Sequence, residues 1–272
     1  MIPDKLTADN SENYKVSIRL MPDGLSFWGY VPSEKDSFFM ETFPFDDGMS
    51  MVESLKDIIF KYPCFSFVYR SFHVICVSRK YTLAADHIFI ETEKDRLFNF
   101  CHPADPTLKV LVQPLKSLNA YILFGLDCDV YAFLVRSLTN PHFIHSLSPL
   151  MIAWQNKSLR VFPKLMHVVV HPHTMDVMCF EQGNLLFANA YDHENSKDIV
   201  YYIMYICKQS GINQLEDYLT ISGPQDLCRT VLSFINKYVK KTNYLHQQIN
   251  DYQVESAHEL TLDMIALMEC GL

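Results

Sequence analysis

The sequence lacks closely spaced cysteines. Its eight cysteines are never closer than 12 residues, so no CxxC or CxxxH pair occurs. Zinc sites built on cysteine use such pairs. Cys76 and Cys207 instead lie inside apolar runs, where a free thiol packs as a small apolar side chain. The pattern disfavours a cysteine-based zinc site and predicts reduced thiols.

Basic charge is also scarce. The chain has 23 Lys and Arg against 31 Asp and Glu, a formal net charge of −8. Affinity for nucleic acid needs clustered Lys and Arg, and the longest basic patches are pairs such as Arg79-Lys80 and Lys240-Lys241. No nucleic-acid partner is expected.

Long apolar segments are absent as well. No run approaches the ~18 residues that span a bilayer, and the polar, acidic first 13 residues do not resemble a signal peptide. Apolar residues make up 49% and charged residues 20% of the chain, which is typical of a globular protein. We expect a soluble, cytoplasmic protein without membrane insertion.

One order of predicted elements, β-β-β-α-β, occurs in both halves of the chain. Alternating apolar residues before Pro22-Asp23-Gly24 predict the first hairpin. A continuous apolar strand before the turn at Pro172 and its return over residues 177–180 predict the second, 150 residues later. The first set comprises residues 16–20, 25–31, 38–45, 49–62 and 73–77, and the second comprises residues 168–170, 177–180, 185–190, 196–209 and 218–221. We also predict strands over residues 65–69, 121–126 and 143–147, helices over 84–96, 130–137 and 225–239, and irregular chain over 97–119. The repeated order indicates two related α/β domains.

Three segments of the second half resemble the actin-like ATPase superfamily, which includes actin, the Hsp70 chaperones and the sugar kinases. Residues 168–180 (VVVHPHTMDVMCF) are similar to its second phosphate-binding hairpin, with Thr174 and Asp176-Val177 at the usual Thr-x-Asp-Val ending. Gly183-Asn184-Leu185 resembles the turn into its third strand, and residues 219–223 (LTISG) resemble the segment whose glycine lies against the adenosine. The element spacing also resembles PilM-type pilus-assembly proteins, the cytoplasmic domain of the secretion protein GspL, and an uncharacterised bacterial family known only as a domain of unknown function.

The resemblance implies a duplicated actin-like ATPase (ribonuclease H-like) fold. It places a first actin-like domain at residues 14–160 and a second at residues 161–272. Each domain is expected to contain a mixed five-stranded sheet flanked by helices, with an interdomain cleft between them.

The predicted phosphate-binding turns depart from this family. Members that hydrolyse ATP end the first strand of each hairpin with an acid that holds Mg²⁺ or orients water, followed by a glycine-rich turn. Here the second hairpin offers residues 169–171 (VVH) at the acid position, and its turn contains Pro172 and no glycine. The first hairpin offers residues 19–21 (RLM) and a single glycine, Gly24. These departures predict that the catalytic apparatus is missing and that no cofactor is required.

The resemblance nevertheless assigns candidate contacts to the degenerate nucleotide cleft. These are Asp23, Gly24, His171, Pro172, His173, Thr174, Asp176, Ser222 and Gly223. The resemblance implies a non-catalytic binding or scaffold protein that recruits other proteins, as PilM-type relatives do. The alternative is an ATP-binding switch or weak ATPase with Mg²⁺, in which Asp23, Asp176 or Glu194 replaces the missing acids.

Other polar clusters have simpler interpretations. His167, His171 and His173 share strand parity and could bind a metal, unless Pro172 breaks the alternation. Asp127 or Asp129 is expected to cap a helix that begins near Cys128.

Two further clusters lie before and within the predicted helix over residues 196–209. Asp192-His193-Glu194 precedes it, where acids complement the helix dipole, although an acid/base role is the alternative. Tyr201, Tyr202 and Tyr205 are expected to be partly core, packed between the sheet and the other domain, because that helix is apolar on nearly all sides. Exposed aromatic residues there would instead indicate a protein partner.

Overall fold

The structure of this 272-residue chain is a computed structural model that describes residues 6–161, 163–245 and 260–270. Within these ranges the chain forms two compact units. The first contains residues 6–115, 119–148 and 260, and the second contains residues 116–118, 149–161, 163–245 and 261–270. None of the helices in the described ranges has the length and hydropathy to cross a bilayer. The assignment of residues 14–160 and 161–272 to two domains stays a prediction.

The first unit is built on a mixed five-stranded sheet and a smaller antiparallel sheet. Its elements are β1 (Lys15–Met21), β2 (Gly24–Val31), β3 (Glu34–Pro44), α1 (Met51–Lys61), β4 (Ser71–Cys76), β5 (Tyr81–Ala85), α2 (Lys94–Cys101), β6 (Leu108–Leu115), β7 (Ala120–Asp127), α3 (Cys128–Ser137) and β8 (Pro141–His145). The larger sheet has the order β3-β2-β1-β4-β8, in which β1 is antiparallel to β2 and parallel to β4. As predicted, Asp127 caps α3, since its side chain accepts hydrogen bonds from the backbone N–H groups of Asp129 and Val130.

Three predictions in the first unit are wrong. Residues 97–119 are not irregular throughout, because residues 97–101 continue α2 and residues 108–115 form β6, which pairs with β7. Residues 65–69 form no strand, because Pro63 begins a 3-10 helix that inserts Phe65 against Phe27, with ring centroids 4.6 Å apart. Residues 84–96 form no continuous helix, because residues up to Ala85 belong to β5 and pair with β7.

The second five-stranded sheet repeats the order of the first. The second unit contributes most of α4 (Leu147–Ser158), followed by β9 (Leu165–Val170), β10 (Thr174–Glu181), β11 (Asn184–Asp192), α5 (Ser196–Gln209), β12 (Tyr218–Ser222), α6 (Gln225–Ile235), β13 (Lys241–Tyr244) and α7 (Leu262–Cys270). The strand order is β11-β10-β9-β12-β13, with β9 antiparallel to β10 and parallel to β12. Two mixed five-stranded sheets with intervening helices confirm the predicted fold class.

The two faces of the second sheet are covered by different helices. Val168 and Val177 belong to a buried apolar cluster that also contains Ile203 of α5 and Val231 of α6. The opposite face carries His167, whose ring stacks on Trp154 of α4 at a centroid distance of 3.9 Å. This packing fixes β9 and β12, whose carboxyl ends carry most of the predicted site.

Helix α5 has the predicted bounds but not the predicted burial. Asn195 caps it and forms a capping box with Asp198. However, Tyr201 is 64% exposed and Tyr205 is 48% exposed. The expectation that these tyrosines pack inside the protein is therefore wrong, because apolar residues on the remaining helix faces suffice to cover the sheet.

Candidate functional site

The turn between β9 and β10 is closed by its own backbone. The His171 N–H donates to the Thr174 carbonyl oxygen at 2.8 Å. Pro172 has no N–H, and the turn contains no glycine. Phosphate-binding turns direct several free N–H groups at the ligand, whereas here the His171 N–H is bonded within the turn and Pro172 has none.

His193, which follows β11, holds both ends of this turn. Its Nε2 lies 3.0 Å from the His171 carbonyl oxygen and 3.1 Å from that of Thr174. Since carbonyl oxygens only accept, Nε2 carries the proton and donates to them. The backbone N–H of His193 also donates to the His173 carbonyl oxygen at 3.0 Å. His193 is only 5% exposed, so it is a structural clamp on the turn.

Asp176, the carboxylate nearest the turn in sequence, is directed at a histidine. His171 Nε2 and Asp176 Oδ2 are 2.9 Å apart, and the Asp176 side chain is 15% exposed. The contact holds the His171 ring against β10. The Asp176 carboxylate is therefore already bonded to a residue of the turn. Glu194, the other proposed substitute acid in this unit, is exposed just before α5.

Gly223 lies beside the end of β9. The parallel register pairs Ser222 with Val169 and so places Gly223 next to Val170. Its φ is +131°, and a Cβ at this position would lie 2.3 Å from the Val170 carbonyl oxygen. The Tyr244 hydroxyl donates to the Gly223 carbonyl oxygen at 2.9 Å. Close approach of backbone to backbone therefore requires this glycine, without any nucleotide.

The structure thus brings seven predicted residues to one end of the second sheet, where β9 and β12 terminate. They are His171, Pro172, His173, Thr174, Asp176, Ser222 and Gly223. His173 is exposed at the tip of the turn, whereas Ser222 is buried with its hydroxyl 3.4 Å from His167 Nε2.

Asp23 and Gly24 form the corresponding turn of the first unit. Asp23 is exposed, and its carbonyl oxygen accepts from the Phe45 N–H at 2.9 Å. Gly24 pairs with Met21 and with Pro44, and a Cβ there would lie 2.6 Å from the Phe43 carbonyl oxygen. Close approach of β3 explains this glycine as well.

His167 is neutral and fully engaged. Its Nδ1 lies 2.8 Å from the Thr220 hydroxyl, and its ring stacks on Trp154. Burial, followed by the nearby positive charge of Lys157, lowers the pKa of His167 well below its usual value. The Lys157 ammonium lies 4.2 Å from the centroid of the Trp154 ring. Among the described residues, no group of three or more His, Cys, Asp or Glu side chains is arranged to hold a metal ion.

Buried thiols of the second unit are poor nucleophiles. Burial raises the pKa of Cys207 to about 11, and the pKa values of Cys179 and Cys228 to about 12. These groups remain protonated at neutral pH, and only a thiolate attacks an electrophile. They act as apolar packing residues, as their sequence context predicts.

The first unit exposes an apolar groove of about 640 Å³. We call it the α2 groove; its apolar walls are Ile88, Ile90, Leu97 and Phe100. Ile88 is 66% exposed, Ile90 61% and Phe100 88%. Isolated exposed apolar residues are common, but a contiguous group indicates a binding surface. Sequence reasoning missed this groove, because its residues fall in two segments, one predicted as an amphipathic helix (84–96) and one as irregular chain (97–119).

Comparison with known proteins agrees with the architecture. Residues 3–242 match the sequence profile of a family described as a protein of unknown function, DUF3822. A crystal structure from Bacteroides thetaiotaomicron, of a protein with actin-like ATPase fold and unknown function, is similar at TM-score 0.84 and 26% identity, covering 97% of this chain and 99% of that one. The PilM–PilN type IV pilus biogenesis complex contains a chain similar at TM-score 0.56 and 9% identity, with 95% and 96% covered. A search of curated proteins gives no match.

Proposed function

Because the chain belongs to the DUF3822 family and has the actin-like ATPase fold, we propose that it is a non-catalytic member of that fold that recruits other proteins. The observation that carries this proposal is the closed β9–β10 turn. The His171 N–H is bonded to the Thr174 carbonyl oxygen and the Asp176 carboxylate to the His171 ring, so neither group is directed at a phosphate or at Mg²⁺.

The ends of the first strands support the same conclusion. β9 ends in Val169 and Val170, which are 8% and 2% exposed. β1 ends in Leu20 and Met21. A valine or leucine side chain can neither bind Mg²⁺ nor orient a water molecule for attack. ATP hydrolysis would therefore lack its acid in both units.

The α2 groove is the surface proposed for recruitment. Its exposed isoleucines and Phe100 suit a partner segment that presents apolar side chains, and its rim carries the Glu93–Arg96 ion pair, with atoms 3.4 Å apart. Apolar anchors surrounded by a polar rim are typical of protein interfaces. By analogy of fold alone, PilM is found in a complex with another protein, PilN.

Affinity capture with the full-length chain tests recruitment. We expect proteins captured by the wild type to be lost with Phe100→Glu and with Ile90→Asp. Phe60→Glu is the matched control, because Phe60 is an exposed phenylalanine of α1, 74% exposed and outside the groove. Capture of the same proteins by Phe100→Glu and by wild type would contradict the proposal.

A further inference from the structure

β11 forms an unprotected edge of the second sheet. Within the part of the chain that the structure describes, it pairs with β10 alone and ends the strand order. It is nine residues long, and no charged residue or proline occurs from Asn184 to Tyr191. A long uncharged edge strand exposes backbone groups that pair readily with another strand.

The remaining edge strands of the described sheets are protected or short. β3 carries Asp36, Glu41 and Pro44. β6 carries Lys109 and Pro114. β5 and β8 have five residues each, and β13 has four. These are the usual means by which proteins prevent edge pairing, so β11 is the exception.

The backbone of β11 directs pairing groups away from β10 at its centre. The Ala190 N–H donates to the neighbouring Asn189 side chain at 3.0 Å and so points away from β10. Backbone direction alternates along an antiparallel strand. Ala188 therefore also directs its N–H and carbonyl away from β10, and two small side chains flank the open positions.

Exposed tyrosines of α5 lie beside this edge. The Tyr191 ring of β11 lies 5.0 Å from the Tyr202 ring, which lies 5.4 Å from that of Tyr201. Tyr201 in turn stacks on Tyr205 with an interplanar angle of 15°. Tyrosine is among the residues that dominate binding energy at protein interfaces. The open edge and the tyrosines form one continuous surface, which we call the β11 surface.

We propose that the β11 surface binds a second copy of this chain by antiparallel pairing of β11 with β11. A two-fold axis through the pair would join the two sheets into one of ten strands, since each contributes five. The same axis would bring the two α5 helices together on one face and cover Tyr201 and Tyr205. This inference does not depend on the proposed recruitment function.

The charges of β11 are compatible with self-pairing. Asp192 is the one charged residue of the strand. If the two-fold axis passes beside Ala188, Asn189 or Ala190, Asp192 faces Asn184, Leu186 or Ala188 of the second copy, respectively. Like charges therefore never oppose each other across the pair, and directly opposed like charges would destabilise it.

Sedimentation of the full-length chain over a range of concentrations tests the proposal. We expect a monomer–dimer equilibrium. In Tyr201→Glu its dissociation constant should rise at least ~30-fold, which is the change typical of losing one interface hot spot. Leu186→Lys, which places a charge on the edge strand where Leu186 is 42% exposed, should act similarly. Tyr238→Glu is the control, because Tyr238 is 56% exposed and follows α6, away from β11.

Charge complementation separates a direct contact from misfolding. Tyr201→Glu and Tyr201→Lys should each be monomeric and should dimerise when mixed. A wild-type chain that stays monomeric at ~100 μM, well above typical interface dissociation constants, would overturn the proposal. A dimer that both substitutions leave intact would overturn it as well, as would binding of other proteins' extended segments to β11 without self-association.

Discussion

The carbonyl oxygen of Val170 occupies the space where a side chain of residue 223 would begin. A Cβ atom on Gly223 would lie 2.3 Å from that oxygen, closer than any normal contact. In the superfamily that this chain resembles, the corresponding glycine makes room for adenosine. Here it makes room for the neighbouring strand, so the glycine is explained by packing alone.

Gly223→Ala should therefore destabilise the protein by about 2–4 kcal/mol, from steric overlap added to a strained φ of +131°. Urea unfolding measures this loss. Gly48→Ala is the matched control, since Gly48 also has a positive φ, +95°, but a Cβ there would meet nothing within 4 Å. Its expected cost is about 1 kcal/mol. Equal losses in the two variants would show that the contact with Val170 is unimportant.

His167 should make stability depend on pH. Burial lowers its pKa in the folded state well below the usual value, so the unfolded chain binds a proton that the folded chain excludes. The free energy of unfolding should thus fall as pH drops below about 6.5, by up to about 1.4 kcal/mol per pH unit. His167→Gln should remove this slope, and His87→Gln, at an exposed position, should retain it. An unchanged slope in His167→Gln would contradict the assignment.

His193 should matter for stability although it looks like part of an acid/base cluster. His193→Ala removes two hydrogen bonds to the carbonyl oxygens of the β9–β10 turn and leaves a cavity, at an expected cost of about 2–3 kcal/mol. His173→Ala alters an exposed residue of the same turn and should change stability by less than about 0.5 kcal/mol. Thermal unfolding compares them. A His193→Ala chain as stable as the wild type would refute the clamp.

Local signals were sufficient for much of the second unit. The bounds of α5 follow from Asn195 and the apolar period after it, and the hairpin follows from Pro172 between two apolar strands. The clamp could not be predicted, because His193 reaches His171 only once β10 and β11 have paired.

The first unit and the exposed surfaces were harder to predict. Residues 81–85 are apolar enough for a helix or a strand, and only pairing with β7 decides between them. Likewise, the spacing of Tyr201 and Tyr205 identifies a helix but does not tell which of its faces the sheet leaves uncovered. These features depend on tertiary contacts and not on local periodicity.

Calorimetric titration of the full-length chain with ATP, with and without Mg²⁺, tests the central claim most directly. The closed turn and the missing acids predict no heat of binding at ~1 mM ATP, which corresponds to less than about 4 kcal/mol of affinity. An actin-like protein that binds ATP, titrated in parallel, provides the positive control. Micromolar binding that requires Mg²⁺ and is lost in Asp176→Asn would contradict the account, because it would make the β9–β10 turn a working nucleotide site.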